Sequence, residues 1–412
     1  MTDERKVLIL TSDAGLGHRS AAQAVAGALI KRHAGACVVE IVNPADDERA
    51  PKILHSSESD YDRIVQNMSS LYRFSYEVSD ATVPASMIEG VLVVGLFLVV
   101  RDLIRRHEPD VIVTTIPTYQ APVEAVFATG EERVPLITVV TDLVTIHRIW
   151  FNRAADLCVV PTDVARDLAI SYGLPPERVK VTGIPVNPAI AEEERAPAEI
   201  RTDLGWRTDL TTLLAVGGKR VENMLPVLQA LNHTGLPLQL AVLAGGDEEM
   251  YRQLQEMEWH AEAHVYDFVD NMPALMRASD LVLCKAGGLI VSEALASGLP
   301  LLLVDVIPGQ ETGNAEYVVE HGAGELVEDP LAALEAVHHW LDDDGELLAE
   351  RAENACRIGR PQAAFEVAEY AWRMGGKLDW EREDGAAGRS ELVDLLDRHG
   401  IAWKEGTCAR SR

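Results

Sequence analysis

The sequence lacks paired cysteines, an excess of positive charge and any apolar run long enough to span a bilayer. Its five cysteines, Cys37, Cys158, Cys284, Cys356 and Cys408, are scattered, with no CxxC and no paired spacing. That pattern excludes a disulfide framework and a thiolate zinc site, and it fits a reduced, cytoplasmic compartment. Three of the five fall in apolar strand-like runs, where a free thiol behaves as a small hydrophobe. Lysine and arginine number 37 against 65 acidic residues, a formal net charge of −28. Phosphate backbones need a clustered positive field, so nucleic acid is excluded as a partner. An anionic bilayer is also repelled unless a local basic patch docks it. The strongest apolar stretch, Gly90–Val100, is bounded by Glu89 and Arg101. It is far short of the ~20 residues of a spanning helix. No signal peptide is expected, because Met1–Lys6 is polar and the apolar run Val7–Leu10 has only a strand's length.

What is present is the pattern of a two-domain α/β protein. Hydrophobic residues make up 47% of the 412, enough for extensive cores. Short Val/Ile/Leu runs alternate with longer amphipathic stretches. They are Lys6–Thr11, Cys37–Val42, Asp110–Thr115, Leu136–Thr141 and Asp156–Pro161, then Thr211–Val216, Leu238–Leu243, Asp280–Cys284 and Pro300–Asp305. Continuous apolar strands are buried on both faces, as in a parallel sheet covered by helices. The alternation predicts repeated βαβ units. Between the two series lies Pro185–Thr208, with three prolines and the acidic run Glu192–Glu194, which reads as a linker. The expected division is a Rossmann-like domain over 1–190, a linker over 191–208, a second Rossmann-like domain over 209–376 and a polar tail over 377–412. One short helix over Ser390–His399 is expected in the tail. Ligands of open α/β sheets bind at the carboxyl ends of the strands, so the cleft between two facing sheets is the expected site.

Three segments carry candidate chemistry. The first, TSDAGLGHRS (Thr11–Ser20), follows the first strand and opens a helix. Gly15 and Gly17 allow close backbone approach to a polar ligand. Ser20 stands where a dinucleotide fingerprint needs its third glycine, so NAD is not indicated. His18, at the helix start, is either a turn cap or a general base, and an imidazole there is disfavoured from charging. The second, VTDLVTIHRIW (Val140–Trp150), carries Asp142, His147 and Trp150 at a strand end. Asp142 either caps an Asx turn or orients a histidine. The third runs from Asp280 to Asn314. Its Gly287-Gly288 turn opens a helix whose bare N–H groups suit a diphosphate, with Glu293 placed to accept ribose hydroxyls. Gln310, Glu311 and Asn314 follow the next strand and suit sugar hydroxyls. Gly217, Gly218 and Lys219 form a further glycine turn after the first strand of the second half, beside Arg220.

These blocks resemble glycosyltransferase family 28, in its branch of monogalactosyldiacylglycerol synthases and processive diacylglycerol glucosyltransferases. The resemblance rests on SDAGLGHRSAAQAV, SDYDRIVQNMSSLYRFSY (Ser59–Tyr76), TDLVTIHRIWF, VTGIPV (Val181–Val186) and KAGGLIVSEALASGLPLLLVDVIPGQETGNA, in that order. It runs from about Val7 to Glu325. It implies a GT-B fold and an inverting, metal-independent transfer of galactose or glucose from a UDP-sugar to diacylglycerol. The UDP-sugar is a co-substrate, and no cofactor is implied. Carried over by position, His18 looks like the base and Glu293 the ribose ligand. Gly287 and Gly288 look like the diphosphate seat, with Lys285 and Lys219 nearby, and Gln310, Glu311 and Asn314 like sugar or uridine contacts. Gly15, Gly17, His147 and Trp150 fall on the acceptor side. The chain departs from its relatives at Ile116-Pro117, where they often have His-Pro, and in the turns Gly217–Arg220 and Lys285–Gly288.

A peripheral position on the inner face of the cell membrane is expected. Tyr61, Tyr72, Phe74 and Tyr76 offer interfacial aromatics. Gly90–Val100 followed by Arg101, Arg105 and Arg106 is either a membrane-facing helix with a basic rim or a core helix of the sheet. Other readings are a polyprenyl-linked or otherwise hydrophobic acceptor, a sugar-nucleotide epimerase, and a non-catalytic UDP-sugar-binding protein.

Overall fold

The computed structural model describes residues 4–13, 16–50, 82–218 and 221–376. Within them the chain forms two six-stranded parallel sheets clothed by helices. The first contains β1 (Arg5–Leu10), β2 (Cys37–Val42), β3 (Val111–Thr114), β4 (Leu136–Val139), β5 (Leu157–Val160) and β6 (Val179–Val181), in the order β2-β1-β3-β4-β5-β6. Its helices are α1 (Leu16–Arg32), α2 (Thr82–His107), α3 (Gln120–Ala128) and α4 (Asp163–Ser171). Every residue of β3, β4 and β5 is buried, as the unbroken Val/Ile/Leu/Thr runs require for strands covered on both faces. The register is parallel throughout, with Val7 opposite both Val39 and Val111.

The second sheet has the order β12-β11-β10-β7-β8-β9, from β7 (Thr211–Val216), β8 (Leu238–Leu243), β9 (Glu262–Tyr266), β10 (Leu281–Lys285), β11 (Leu301–Asp305) and β12 (Gly324–Leu326). Two helices precede it, α5 (Ala189–Glu192) and α6 (Pro197–Leu204). Within and after it come α7 (Met224–Asn232), α8 (Glu248–Glu256), α9 (Met272–Arg277), α10 (Gly288–Ala296), α11 (Thr312–Glu320), α12 (Pro330–Leu341), α13 (Glu346–Ile358) and α14 (Ala363–Met374).

By contact density the first compact unit takes in residues up to Val140, Ile146–Val181 and the chain from Glu366 on; the second holds Thr141–Thr145 and Thr182–Phe365. The stretch that reads as a linker folds with the second unit. Pro197 starts α6 at its first position, a role that suits its fixed φ. Ile200 is buried, and Arg201 donates to Asp280 and to the carbonyl of Ala278. Proline and acid composition marked a helix start and a solvated face there. The last helix also divides between the units. From Glu366 on it packs in the first, where the Arg5 guanidinium lies over the Trp372 ring at 3.9 Å and the His33 ring stacks on it at 3.9 Å. Residues 59–76 and the tail beyond 376 lie outside the described residues, and so do Tyr61, Tyr72, Phe74 and Tyr76.

Candidate active site

In the first unit the chemistry gathers at the carboxyl ends of β1 and β3. His18 is the third residue of α1. Its ring Nδ1 lies 2.9 Å from the carbonyl oxygen of Thr115. A carbonyl only accepts, so Nδ1 carries the proton and donates, and the lone pair of the neutral ring falls on Nε2. The ring packs against Trp150 with centroids 6.1 Å apart. Trp150 is itself buried in the core, and its carbonyl accepts from Gln120 Nε2 at 3.2 Å.

The loop before α1 is held from both sides. Arg19 makes a two-pronged pair with Asp13 at 2.7 and 2.8 Å, which holds the Asp13 carboxyl below the usual carboxylate range. Asn43 bridges Asp13 and Asp46, and Tyr119 donates to Asn43 at 2.9 Å. Burial pushes the Tyr119 phenol well above its ordinary value, so it stays a neutral donor. Gly17 is in the first turn of α1; Gly15 lies outside the described residues. His147 accepts at Nδ1 from Ile149 N, 3.2 Å away, and so caps the single helical turn Arg148–Trp150. Asp142 falls in the five-residue stretch grouped with the second unit.

In the second unit the donor candidates gather at the carboxyl ends of β7, β10 and β11. Gly217 donates to the Leu243 carbonyl at 2.8 Å. A Cβ there would come within 2.7 Å of that oxygen and of the Met250 sulfur, so only glycine lets the β7 and β8 turns approach this closely. Lys219 and Arg220 lie outside the described residues. Gly287 is the N-cap of α10 and Gly288 its first residue, with no side chain capping the helix. The first N–H groups of such a helix have no intrahelical acceptor and attract anions. Glu293 follows in the second turn of α10. Burial raises its pKa to about 7, well above an exposed glutamate.

Two of the three predicted sugar contacts, Glu311 and Asn314, are tied into the unit itself, together with Lys285. Lys285 Nζ forms an ion pair with Glu311, whose other oxygen accepts from Ile307 N at 3.0 Å. Asn314 Nδ2 donates to the Ala286 carbonyl at 2.9 Å. Glu311 and Asn314 are buried, while Gln310 is half-exposed. Lys285, the cation expected near a leaving diphosphate, therefore has its charge balanced by Glu311.

Sequence reasoning passed over two features here. Asp305 ends β11 and takes two bonds from Asn223, from its backbone N at 3.0 Å and its Nδ2 at 2.8 Å, while its own carbonyl accepts from Ala286 N. One aspartate thereby ties the loop after β7 to the turn that opens α10. Phe268 follows β9 and is 67% exposed, an aromatic face at the end of the sheet where ligands bind. The polar character of Asp305 at a strand end was the signal for the first; nothing in the local pattern around Phe268 set it apart from a core residue.

Residues 18–186 match the monogalactosyldiacylglycerol (MGDG) synthase family, and residues 217–364 match the glycosyltransferase family 28 C-terminal domain. The monogalactosyldiacylglycerol synthase of spinach (Spinacia oleracea), a chloroplastic protein, is 30% identical over 375 residues, 88% of this chain and 71% of that protein. The chain belongs to the monogalactosyldiacylglycerol synthase family. Solved structures share its architecture at 15% identity. Acinetobacter baumannii MurG has a TM-score of 0.58 over 90% of this chain and 99% of its own, and the UDP-GlcNAc 2-epimerase of Neisseria meningitidis 0.57 over 89% and 100%. That likeness shows a GT-B fold, which a transferase and an epimerase hold in common. Membership of the synthase family separates them, and the chain is a UDP-sugar glycosyltransferase. Both family matches fall on the blocks singled out above, one beginning at His18 and the other at Gly217.

Proposed function

We propose that this member of the family moves galactose or glucose from a UDP-sugar to diacylglycerol, with inversion at the anomeric carbon and without a divalent metal. The observation that carries the reading is the His18 ring, held at Nδ1 by a backbone carbonyl so that Nε2 is the basic nitrogen. In the transfer, Nε2 takes the proton of the acceptor hydroxyl as its oxygen attacks the anomeric carbon. The bond from that carbon to the β-phosphate oxygen breaks, UDP leaves with the electron pair, and the proton passes from His18 to solvent. Asp142 is kept as a candidate catalytic residue in the stretch after β4.

On the donor side, Glu293 accepts the ribose hydroxyls and the α10 N–H groups receive the diphosphate, with Gly217 and Gly218 on the neighbouring turn; Lys219 is assigned to the same diphosphate. Phe268 offers a face to the base. Gln310 reaches the sugar, while Glu311, Lys285 and Asn314 keep the loop in shape behind it. Gly15, Gly17, His147 and Trp150 are assigned to the acceptor side, with the Trp150 ring beside that of His18. Among the described residues no group of three or more His, Cys, Asp or Glu is placed to hold a metal.

The enzyme works peripherally at a membrane surface, on the inner face of the cell membrane. Among the described residues no helix is long and apolar enough to cross a membrane. His18→Ala tests the core of the reading. Turnover falls by about 10² to 10⁴, while calorimetry finds UDP affinity within a few-fold of the parent. Near-normal turnover would reduce His18 to a turn residue and send the search for the base to His147.

A further inference from the structure

Two threonines, Thr11 and Thr115, stand at the carboxyl ends of β1 and β3, each with no exposed surface. A hydroxyl taken out of water costs free energy unless it is bonded, so the partners of these two explain why they are there. Thr115 Oγ1 lies 3.0 Å from the backbone carbonyl of His18 and 2.9 Å from Thr11 Oγ1. The His18 carbonyl only accepts, so the Thr115 hydroxyl donates to it. Having one proton to give, Thr115 must then accept from the Thr11 hydroxyl. The carbonyl of Thr115 meanwhile receives the Nδ1–H of the His18 ring at 2.9 Å. Both threonines are fixed to the sheet by their own backbones, Thr11 N to Val42 O at 3.0 Å and Thr115 N to Leu10 O at 3.1 Å.

One residue thus grips His18 twice, at the main chain by its hydroxyl and at the ring by its carbonyl. Valine would fill the same space in the strand ends with no hydroxyl to satisfy, so packing alone does not account for a threonine at either position. The geometry points to Thr115, supported through Thr11, as the positioning residue of the base. Its carbonyl fixes the tautomer that leaves the lone pair on Nε2, and its hydroxyl, bonded to the His18 main chain, holds the ring where that bond forms. This inference rests on His18 being the base.

The test uses the full chain with UDP-sugar and lipid acceptor. Thr115→Val keeps the shape and the carbonyl and removes the hydroxyl. It is expected to lower kcat about ten-fold, since misplacement of a reacting group by an ångström can cost about a hundred-fold, and to leave the KM for UDP-sugar within two-fold. Thr115→Ser, which restores the hydroxyl, recovers most of the rate, and Thr11→Val shows a smaller loss of the same kind. The deciding comparison is made in a His18→Gln background, where Thr115→Val is expected to change the residual rate no further, because its effect passes through the ring. With ¹⁵N-labelled histidine, the His18 signal shows Nδ1–H in the parent and an Nε2–H fraction in Thr115→Val.

Unchanged kcat in Thr115→Val, failure of Thr115→Ser to restore it, or an equal loss with and without His18 would each overturn the positioning role. If Thr115→Val does not fold, Thr11→Val carries the same comparisons. Full activity of His18→Gln would instead overturn the base assignment, a result distinct from the other three.

Discussion

Glu293 shows how one residue can be costly for the fold and useful for the site. A carboxyl removed from water is harder to ionise, and its pKa rises to about 7 from an ordinary 4.5. The folded protein therefore holds this proton more tightly than the unfolded chain. Its contribution to stability is full at low pH and is lost as pH rises from about 4.5 to about 7. Glu293→Gln removes the ionisable group, so the variant should gain Tm relative to the parent, and the gain should be larger at pH 8 than at pH 5. Under the proposed ribose-binding role the same change also removes a charged acceptor, worth about 1.5 to 3 kcal/mol or about one to two decades of affinity. UDP-sugar binding measured without acceptor should fall in the parent as pH drops below about 7 and vary little with pH in the variant. Parent-like affinity for UDP in a folded Glu293→Gln protein would remove Glu293 from the donor site.

The two site histidines and the buried thiols differ in how far their sequence context announced them. His18 was legible because a glycine turn between strand and helix leaves few roles for an imidazole. The carbonyl that orients it comes from 97 residues away, and no local pattern announces that. Thr115 reads in sequence as an ordinary β-branched strand residue. Glu311 and Lys285 stood out in sequence as polar donor-side candidates, but their pairing across 26 residues was not legible. Cys158 and Cys284 behaved as apolar strand residues suggest they should, with burial pushing each thiol up to about 12.

At the level of elements, every central strand announces itself, while of the four edge strands only β2 does. The nine apolar runs fall on strands of the two sheets, with ends shifted by a residue or two. The three strands that the apolar pattern passes over, β6, β9 and β12, all lie at sheet edges, where one side meets no further strand. They are short or half-polar, because a strand flanked on one side only is not forced to be apolar on both faces.

Helix α2 is the other instructive element. The run Gly90–Val100 is in large part core, with Leu96 and Val100 fully buried. Yet Val94 and Leu98, one turn apart, are 76% and 51% exposed, and Arg101 and Arg105 continue toward the end of the helix. Arg101 also lies over the Phe97 ring. An apolar pair with a basic rim suits a bilayer surface. The double substitution Val94→Glu with Leu98→Glu, made in the full chain, should abolish flotation with anionic vesicles and leave turnover of detergent-dispersed acceptor near normal. Undiminished flotation would move membrane contact to another part of the molecule. The full chain is needed because helix α14 packs, from Glu366 on, within the first unit, so a fragment ending near residue 190 would lack it.

At the scale of the whole molecule, a chain with 65 acidic and 37 basic residues belongs to a family whose relatives are named monogalactosyldiacylglycerol synthases. The net charge of −28 sets solubility and leaves the fold and chemistry to the two sheets. The proposed division of labour follows the sheets, with His18 at the carboxyl end of the first and the candidate donor turns at the carboxyl end of the second. The most direct test incubates the full-length protein with UDP-galactose or UDP-glucose and diacylglycerol vesicles in the presence of EDTA, and resolves the lipids by mass and anomeric configuration. The expected result is a β-linked hexosyldiacylglycerol, formed without added metal by the parent and reduced by about 10² to 10⁴ in His18→Ala. Sugar transferred only to a polyprenyl carrier, activity that appears only when magnesium is restored, or UDP-sugar bound and never consumed would contradict it.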